Sequence, residues 1–152
     1  ENGPNTVVAV LIGADGRGAE QSTVDEVQKQ IDPLDKQGLG EGLANIGCVF
    51  TAKAATEKSI AVNVSVALAK EKSMQVAKTE IEEKLIAYFK DLALDNKSDT
   101  AIVRLTSIGN ILLNCDSIID YSNLTLDGGS SNVTISVNSV PILGTLTVSA
   151  ME

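Results

Sequence analysis

The chain has 152 residues, a net charge of −8 from 12 basic and 20 acidic side chains, and an apolar fraction of 43%, which suits one folded domain or two small ones and argues against disorder. The acidic balance argues against nucleic acid and anionic membrane surfaces as partners, because tracking phosphates needs clustered Lys and Arg. Histidine is absent and aromatics make up 3%, which removes the commonest general base and transition-metal ligand and leaves few platforms for stacking bases.

Glu1 to Asn5 read as coil, a linker or disordered start. The lack of an initiating Met or a signal peptide reads as a piece cut from a longer protein. Thr6 to Ile12 (TVVAVLI) is a β-branched run ending on Gly13, the pattern of a buried strand. A turn-rich stretch follows at Gly13-Ala14-Asp15-Gly16-Arg17-Gly18. It contains neither the Gly-Lys-Ser/Thr of a phosphate loop nor a GxGxxG fingerprint, so we read it as a strand-to-helix turn. A short helix is expected from about Ser22, with Thr23 and Glu26 as a capping box and Val24, Val27 and Ile31 as its apolar stripe. Pro33 should end it.

Asp32 to Gly47 reads as a long loop carrying Gly38, Gly40, Gly42 and Gly47, a length that is unusual inside a compact domain and often functional. Cys48–Ala55 and Ser59–Ala69 read as strands. In the second, Ile60, Val62, Val64, Val66 and Leu68 alternate with smaller or polar residues, which marks a half-buried strand. Ser73–Leu94 is the clearest helix, with Met74, Ala77, Ile81, Leu85, Tyr88, Phe89 and Leu92 at helical spacing. Its charges, including the Lys78/Glu82 and Glu80/Lys84 pairs four apart, read as a solvated face. Ile81, Leu85, Phe89 and Leu92 are expected to pack on a sheet containing Val62, Val64 and Val66 or their opposite-face neighbours.

Asp95-Asn96-Lys97-Ser98-Asp99 reads as a boundary between modules. Residues 101–152 hold five charged side chains against 18 Ser, Thr and Asn. A short strand at Ala101–Leu105, a helix at about Thr106–Asn114, and strands at Ile118–Leu126, Asn132–Val137 and about Leu143–Ser149 are expected. Asp127-Gly128-Gly129 supplies hairpin turn chemistry between the first two of those later strands. The fold class is therefore α+β, with mixed or antiparallel sheets and helices on one face. Its two modules read β-α-β-β-α over residues 6–96 and β-α-β-β-β over residues 97–152. Ala101–Leu105 could instead add a fourth strand to the first module in a ferredoxin-like arrangement.

Cys48 and Cys115 have no metal-ligand spacing and read as buried free thiols more readily than as a disulfide. Adjacent acids such as Glu82-Glu83 and Asp25-Glu26 point apart on a helix and cannot form an acid/base pair. No apolar run approaches a membrane span. No catalytic, cofactor-binding or metal-ligating residue is identified, and no bound metal, nucleotide, cofactor or small-molecule substrate is expected.

The C-terminal half carries an ordered series of strand motifs: Ile118-Ile119-Asp120-Tyr121-Ser122-Asn123-Leu124-Thr125, Asn132-Val133-Thr134-Ile135, and Val140-Pro141-Ile142-Leu143-Gly144-Thr145-Leu146-Thr147-Val148. Upstream stand Gly13-Ala14-Asp15-Gly16, Val24-Asp25-Glu26-Val27-Gln28, Ile31-Asp32-Pro33 and Ala44-Asn45-Ile46-Gly47. In order and spacing these resemble the C-terminal portion of the baseplate J-like family of phages and phage-derived particles, from Val7 onward. Asn114-Cys115-Asp116-Ser117-Ile118 departs from the Pro-Gly turn frequent in that family.

The resemblance implies a non-enzymatic wedge component of a contractile-tail baseplate. Its implied place is a virion or tail-like particle, such as a tailocin, assembled in the host cytoplasm. Its implied partners are other baseplate proteins and copies of itself. The neutral, Ser/Thr/Asn-rich C-terminal module is expected to carry the assembly interface, around Tyr121, Leu124, Leu126, Val140, Leu143 and Leu146, because neutral groups are desolvated at lower cost than ions. The alternative from another class is a surface-binding or adhesin module.

Overall fold

The computed structural model describes residues 3–95 and 100–151. The chain runs β1 (Thr6–Leu11), α1 (Gln21–Ile31), a 3-10 turn (Leu34–Lys36), β2 (Val49–Ala54), β3 (Thr56–Leu68), α2 (Met74–Leu94), β4 (Ile102–Val103), α3 (Leu105–Leu113), β5 (Ile118–Leu126), β6 (Val133–Thr134) and β7 (Ser139–Ala150). Element order and α+β class match the sequence reading.

The partition does not. The chain divides into compact units at residues 1–56 and 57–152, not at Asp95–Asp99, of which 96–99 lie outside the described residues. The physical reason is a shared core. Ile60, Val62, Val64 and Val66 of β3 are buried in one cluster with Ala77, Ile81, Leu85 and Phe89 of α2 and with Val103, Ile108, Leu112, Leu124, Leu126 and Leu146 further on. A boundary after α2 would cut that core in two.

In residues 1–56, β1 and β2 run parallel, from Thr6 opposite Val49 to Leu11 opposite Ala54, joined through α1 as parallel strands require. Gly3 to Asn5 are a turn rather than free coil, with the Thr6 N–H bonded to the Gly3 carbonyl. The expected capping box is absent. α1 begins at Gln21 after an extended Glu20 that makes no side-chain cap bond, so Thr23 and Glu26 already lie inside the helix. Asp32 closes α1 just before Pro33. The glycine-rich stretch then folds back under it, the N–H groups of Leu43 and Ala44 capping the Gln30 and Ile31 carbonyls. A Cβ at Gly42 would overlap the Ile31 carbonyl oxygen, which explains that glycine.

In residues 57–152, the three-stranded sheet has the order β5-β3-β7. β5 pairs antiparallel with β3, from Val62 opposite Leu126 to Leu68 opposite Ile118. β7 follows β3 in the same direction. Gly144 sits against Ser59 and Ile60, Ser149 against Ser65, and the Met151 N–H bonds the Val66 carbonyl. The register of β5 shifts between Asn63 and Ser65, where Asn123 takes a left-handed φ of 53°. That is a β-bulge, and asparagine tolerates the conformation better than most side chains.

The β3 residues that face the helices are apolar, while Ala61, Asn63, Ser65 and Ala67 face the other way and are only half-buried. Ser73 caps α2 by accepting from the Val76 N–H at 3.3 Å. α2 packs on β7 and α3 packs on β5. Asp127 and Gly128 both have positive φ, 49° and 79°, the backbone a tight type I′ turn demands. Yet β6 does not extend a hairpin with β5. It pairs with β4, Ile102 opposite Thr134 and Val103 opposite Val133. β4 therefore joins β6, not the β3 sheet, and the ferredoxin-like arrangement is not formed.

Candidate functional site

Three polar clusters are built by residues distant in sequence. The first centres on Glu80 of α2. Its Oε1 accepts from the Asp116 N–H at 2.8 Å and from Lys84 Nζ at 2.9 Å, and its Oε2 accepts from the Ser117 N–H at 3.0 Å and Ser117 Oγ at 2.5 Å. Lys84 Nζ also donates to the Asn114 carbonyl at 2.6 Å. Burial works to raise the Glu80 pKa, but the Ser117 hydroxyl, Lys84 and the two backbone N–H groups together hold it at about 2. The same bond to Glu80 raises Lys84. The Asn114–Ser117 turn is thus held from α2. The reading of Glu80 and Lys84 as merely a solvated face is corrected accordingly.

The second cluster lies in residues 1–56. Gln28 and Asp32, one helical turn apart, are buried. Gln28 Nε2 donates to the carbonyls of Asp32 at 2.5 Å and Phe50 at 3.0 Å, and its Oε1 accepts from the Ala52 N–H at 2.8 Å. The two Asp32 oxygens accept from the Gly38 and Phe50 N–H groups, each at 2.9 Å, and Gln37 Nε2 donates to the Phe50 carbonyl at 2.8 Å. These side chains occupy the backbone groups on the side of β2 away from β1.

The third cluster joins β3 to the β5 turn. Asp127 Oδ1 accepts from the Ala61 N–H at 2.8 Å, and its Oδ2 lies 3.2 Å from Lys58 Nζ. The Ala61 bond holds the Asp127 pKa below the usual carboxylate range, burial works against it, and Lys58 adds to the lowering.

In each cluster the carboxylate oxygens accept from backbone N–H groups, a hydroxyl or lysine, and no His/Cys/Asp/Glu group able to hold a metal occurs among the described residues. Cys115 is a buried free thiol, pushed up chiefly by burial, and Cys48 is free and half-buried. Two open grooves of about 400 and 370 Å³ border α2, one beside Glu80 and Asp116 and the other between Lys84, Tyr88 and Ile111. No described helix is long and apolar enough to cross a membrane.

Of the expected interface residues, Leu124, Leu126, Val140 and Leu146 are buried, at 8%, 2%, 2% and 8% exposure. They are core side chains and cannot themselves meet a partner. Tyr121 and Leu143 are half-buried and pack against the same core. A Cβ at Gly109 of α3 would overlap the Tyr121 hydroxyl, so that tyrosine is a packing element. The alternation of strand faces explains the correction: Leu124, Leu126 and Leu146 join the core with α2 and α3, leaving Asp120, Ser122, Thr125, Thr147 and Ser149, with the 67% exposed Ile119, outside it. Charge depletion drew attention to these strands, but the outward residues are the polar alternates. Exposed aliphatics concentrate elsewhere, at Leu34, Leu39, Leu43 and Ile46 of the glycine-rich loop.

Residues 60–149, nearly the whole of the β3–β7 unit, match the family model of the baseplate J-like protein C-terminal domain. The chain is 35% identical over 143 residues to the phage-like element PBSX protein XkdT of Bacillus subtilis (strain 168), covering 94% of this chain and 39% of that protein. It is 31% identical over 147 residues to the uncharacterized protein YqbT of the same strain, covering 97% of this chain and 40% of that protein. The chain thus spans about two fifths of the length of these relatives. Its matched residues are the ones that build the β5-β3-β7 sheet and its two helices, and the chain belongs to the baseplate J-like family.

Proposed function

We propose that this chain is a non-catalytic structural module of a phage or phage-tail-like baseplate, in which it binds neighbouring baseplate subunits. The observation that carries the reading is the coincidence of the family match, residues 60–149, with the compact unit 57–152. The module acts as a wedge component of the ring and passes baseplate rearrangement on to sheath contraction. Its polar clusters support a passive role, since each engages its charges internally and leaves none poised for proton transfer.

The assembly surface is the C-terminal sheet, through its outward residues and not through its buried leucines. Ser122, Thr125, Thr147 and Ser149 present hydroxyls on that face, and Ser65 and Ser149 already share a hydrogen bond across it at 3.0 Å. Such groups lose water at lower cost than ions. The test places lysine at Ser122 and Thr147, and separately at Thr79 and Glu83 on exposed positions of α2, and measures particle assembly with folded protein. Sheet-face changes should block assembly and helix changes should leave it intact. The reverse pattern would remove the assignment.

A further inference from the structure

The two edges of the β1–β2 sheet are treated in opposite ways. On β2 the groups facing away from β1 are occupied by side chains: Phe50 N–H by Asp32, Phe50 carbonyl by Gln28 and Gln37, and Ala52 N–H by Gln28. On β1 the carbonyls that accept from the β2 side belong to odd-numbered residues, Asn5 from the Val49 N–H and Leu11 from the Ala55 N–H. The backbone groups of Val8 and Val10 and the Thr6 carbonyl therefore face outward. No other described residue bonds them, and β1 is an edge of a two-stranded sheet.

Natural edge strands are usually protected by charge, proline or a bulge. The β5-β3-β7 sheet follows that rule: β5 carries Asp120 and the bulge at Asn123, and β7 carries Pro141. β1 has none of the three. No charged residue occurs from Gly3 through Ala14, all six residues of β1 pair with β2 in unbroken register, and Val7 and Val8 are 50% and 36% exposed.

The occupant that fits this edge is a second copy of the same chain. Antiparallel strands related by a twofold axis are self-complementary, each presenting the donors and acceptors that the other needs. With Val8 opposite Val8, the N–H of each bonds the carbonyl of the other, and each Val10 N–H bonds the opposite Thr6 carbonyl. A twofold contact sets every charge beside its own kind, so a chain of net charge −8 meets itself most easily at an uncharged segment such as this one. The side-chain pairs it makes are Val8 with Val8, Thr6 with Val10 and Val7 with Ala9, all small or β-branched and suited to a pleated surface. Because Gln28, Asp32 and Gln37 already close the β2 edge, pairing ends at two copies and leaves neither outer edge open.

We propose that the outer edge of β1 is a homotypic contact, through which two copies of this chain pair antiparallel and join their two-stranded sheets into one, in the order β2-β1-β1-β2. One short strand pair buries less than the ~1,200 Å² of a standard interface, so free chains associate weakly. Copies already held side by side pair with little further affinity. The inference is independent of the baseplate reading, because it rests on backbone pairing and charge alone.

The test is sedimentation equilibrium of the purified chain up to about 1 mM, alone and with charge placed at Val8. Val8→Lys and Val8→Glu leave the bonds to β2 in place and set like charges across the twofold axis. The native chain should approach a dimer mass and not exceed it. Each variant alone, its fold checked by circular dichroism, should associate at least about tenfold more weakly. An equimolar mixture of the two should recover the dimer, because lysine then stands opposite glutamate. In the native chain, the Val8 and Val10 amides should gain protection from hydrogen exchange as concentration rises, while those of Val7 and Ala9, which face β2, stay protected throughout. A native chain that remains monomeric at every concentration would overturn the proposal and leave the edge to a different partner. A dimer that both variants keep, a mass that grows beyond two copies, or Val8 and Val10 exchange rates independent of concentration would overturn it equally.

Discussion

At the scale of single residues, Glu80 and Gly109 are the positions where a small chemical change should cost most. Replacing Glu80 with Gln turns one acceptor oxygen into a donor facing groups that are themselves donors. Urea unfolding should show a loss of about 1–3 kcal/mol. The Glu80 pKa is depressed from its ordinary 4.5 to about 2, so its contribution is complete above pH 4.5 and is lost as pH falls toward 2. The shift corresponds to at most about 3 kcal/mol, and the side chain's 22% exposure lets water screen part of it. The pH dependence of unfolding between 4.5 and 2 should flatten in Glu80→Gln relative to the native protein; an unchanged slope would remove Glu80 as its source. Gly109→Ala should destabilise by about 1–3 kcal/mol despite alanine's better helix propensity, because the new methyl meets the Tyr121 hydroxyl. In a Tyr121→Phe background the penalty should shrink, since the first atom met is gone. A double-mutant cycle reads that coupling directly.

Among the elements, β2 shows how an edge is closed without another strand. Gln28 mimics a passing backbone, giving an N–H to Phe50 and taking one from Ala52. Gln28→Ala should remove the partner of the Ala52 N–H and one of the two side-chain donors to the Phe50 carbonyl, which keeps Gln37, and lower stability by about 1–2 kcal/mol, measured by thermal or urea unfolding. Gln28→Glu should not rescue it, because a carboxylate cannot donate to the Phe50 carbonyl. The periodicity of α1 shows where such elements were legible. Val24 was readable as core from its spacing, but Gln28 and Asp32 look like surface residues in any one-dimensional pattern. Their burial depends on β2, more than twenty residues away for Gln28, delivering unpaired backbone groups to them. Glu80 is the same case: a Glu–Lys pair four apart reads as solvated until Asp116 and Ser117 arrive from the far side of α3.

For the molecule as a whole, the absence of histidine has a measurable consequence. Histidine is the only side chain whose ordinary pKa lies between pH 5 and 8, and this chain has none. Melting temperature should therefore stay nearly constant from about pH 6 to 8, and a steep change there would point to a group displaced into that range. Added chelator should also leave it unchanged, as no described acid or thiol cluster is arranged to hold a metal. Val24, Phe50 and Ala55 are buried in residues 1–56, while the Ile60–Leu146 cluster forms the core of residues 57–152.

The sequence by itself determined the order of helices and strands, the inward face of β3 and α2, the Asp127-Gly128 turn and the family. Each of these is written locally, in alternation, helical spacing, turn residues or the succession of motifs. Tertiary structure alone decided that β6 leaves β5 for β4, that the division falls at residue 56 and not in the charged stretch after α2, and that Leu124, Leu126, Val140 and Leu146 are core. Those outcomes depend on which distant strand offers backbone partners and on which face a neighbouring helix covers. A strand's period of two shows that it has two faces, and only its neighbours determine which of them meets water.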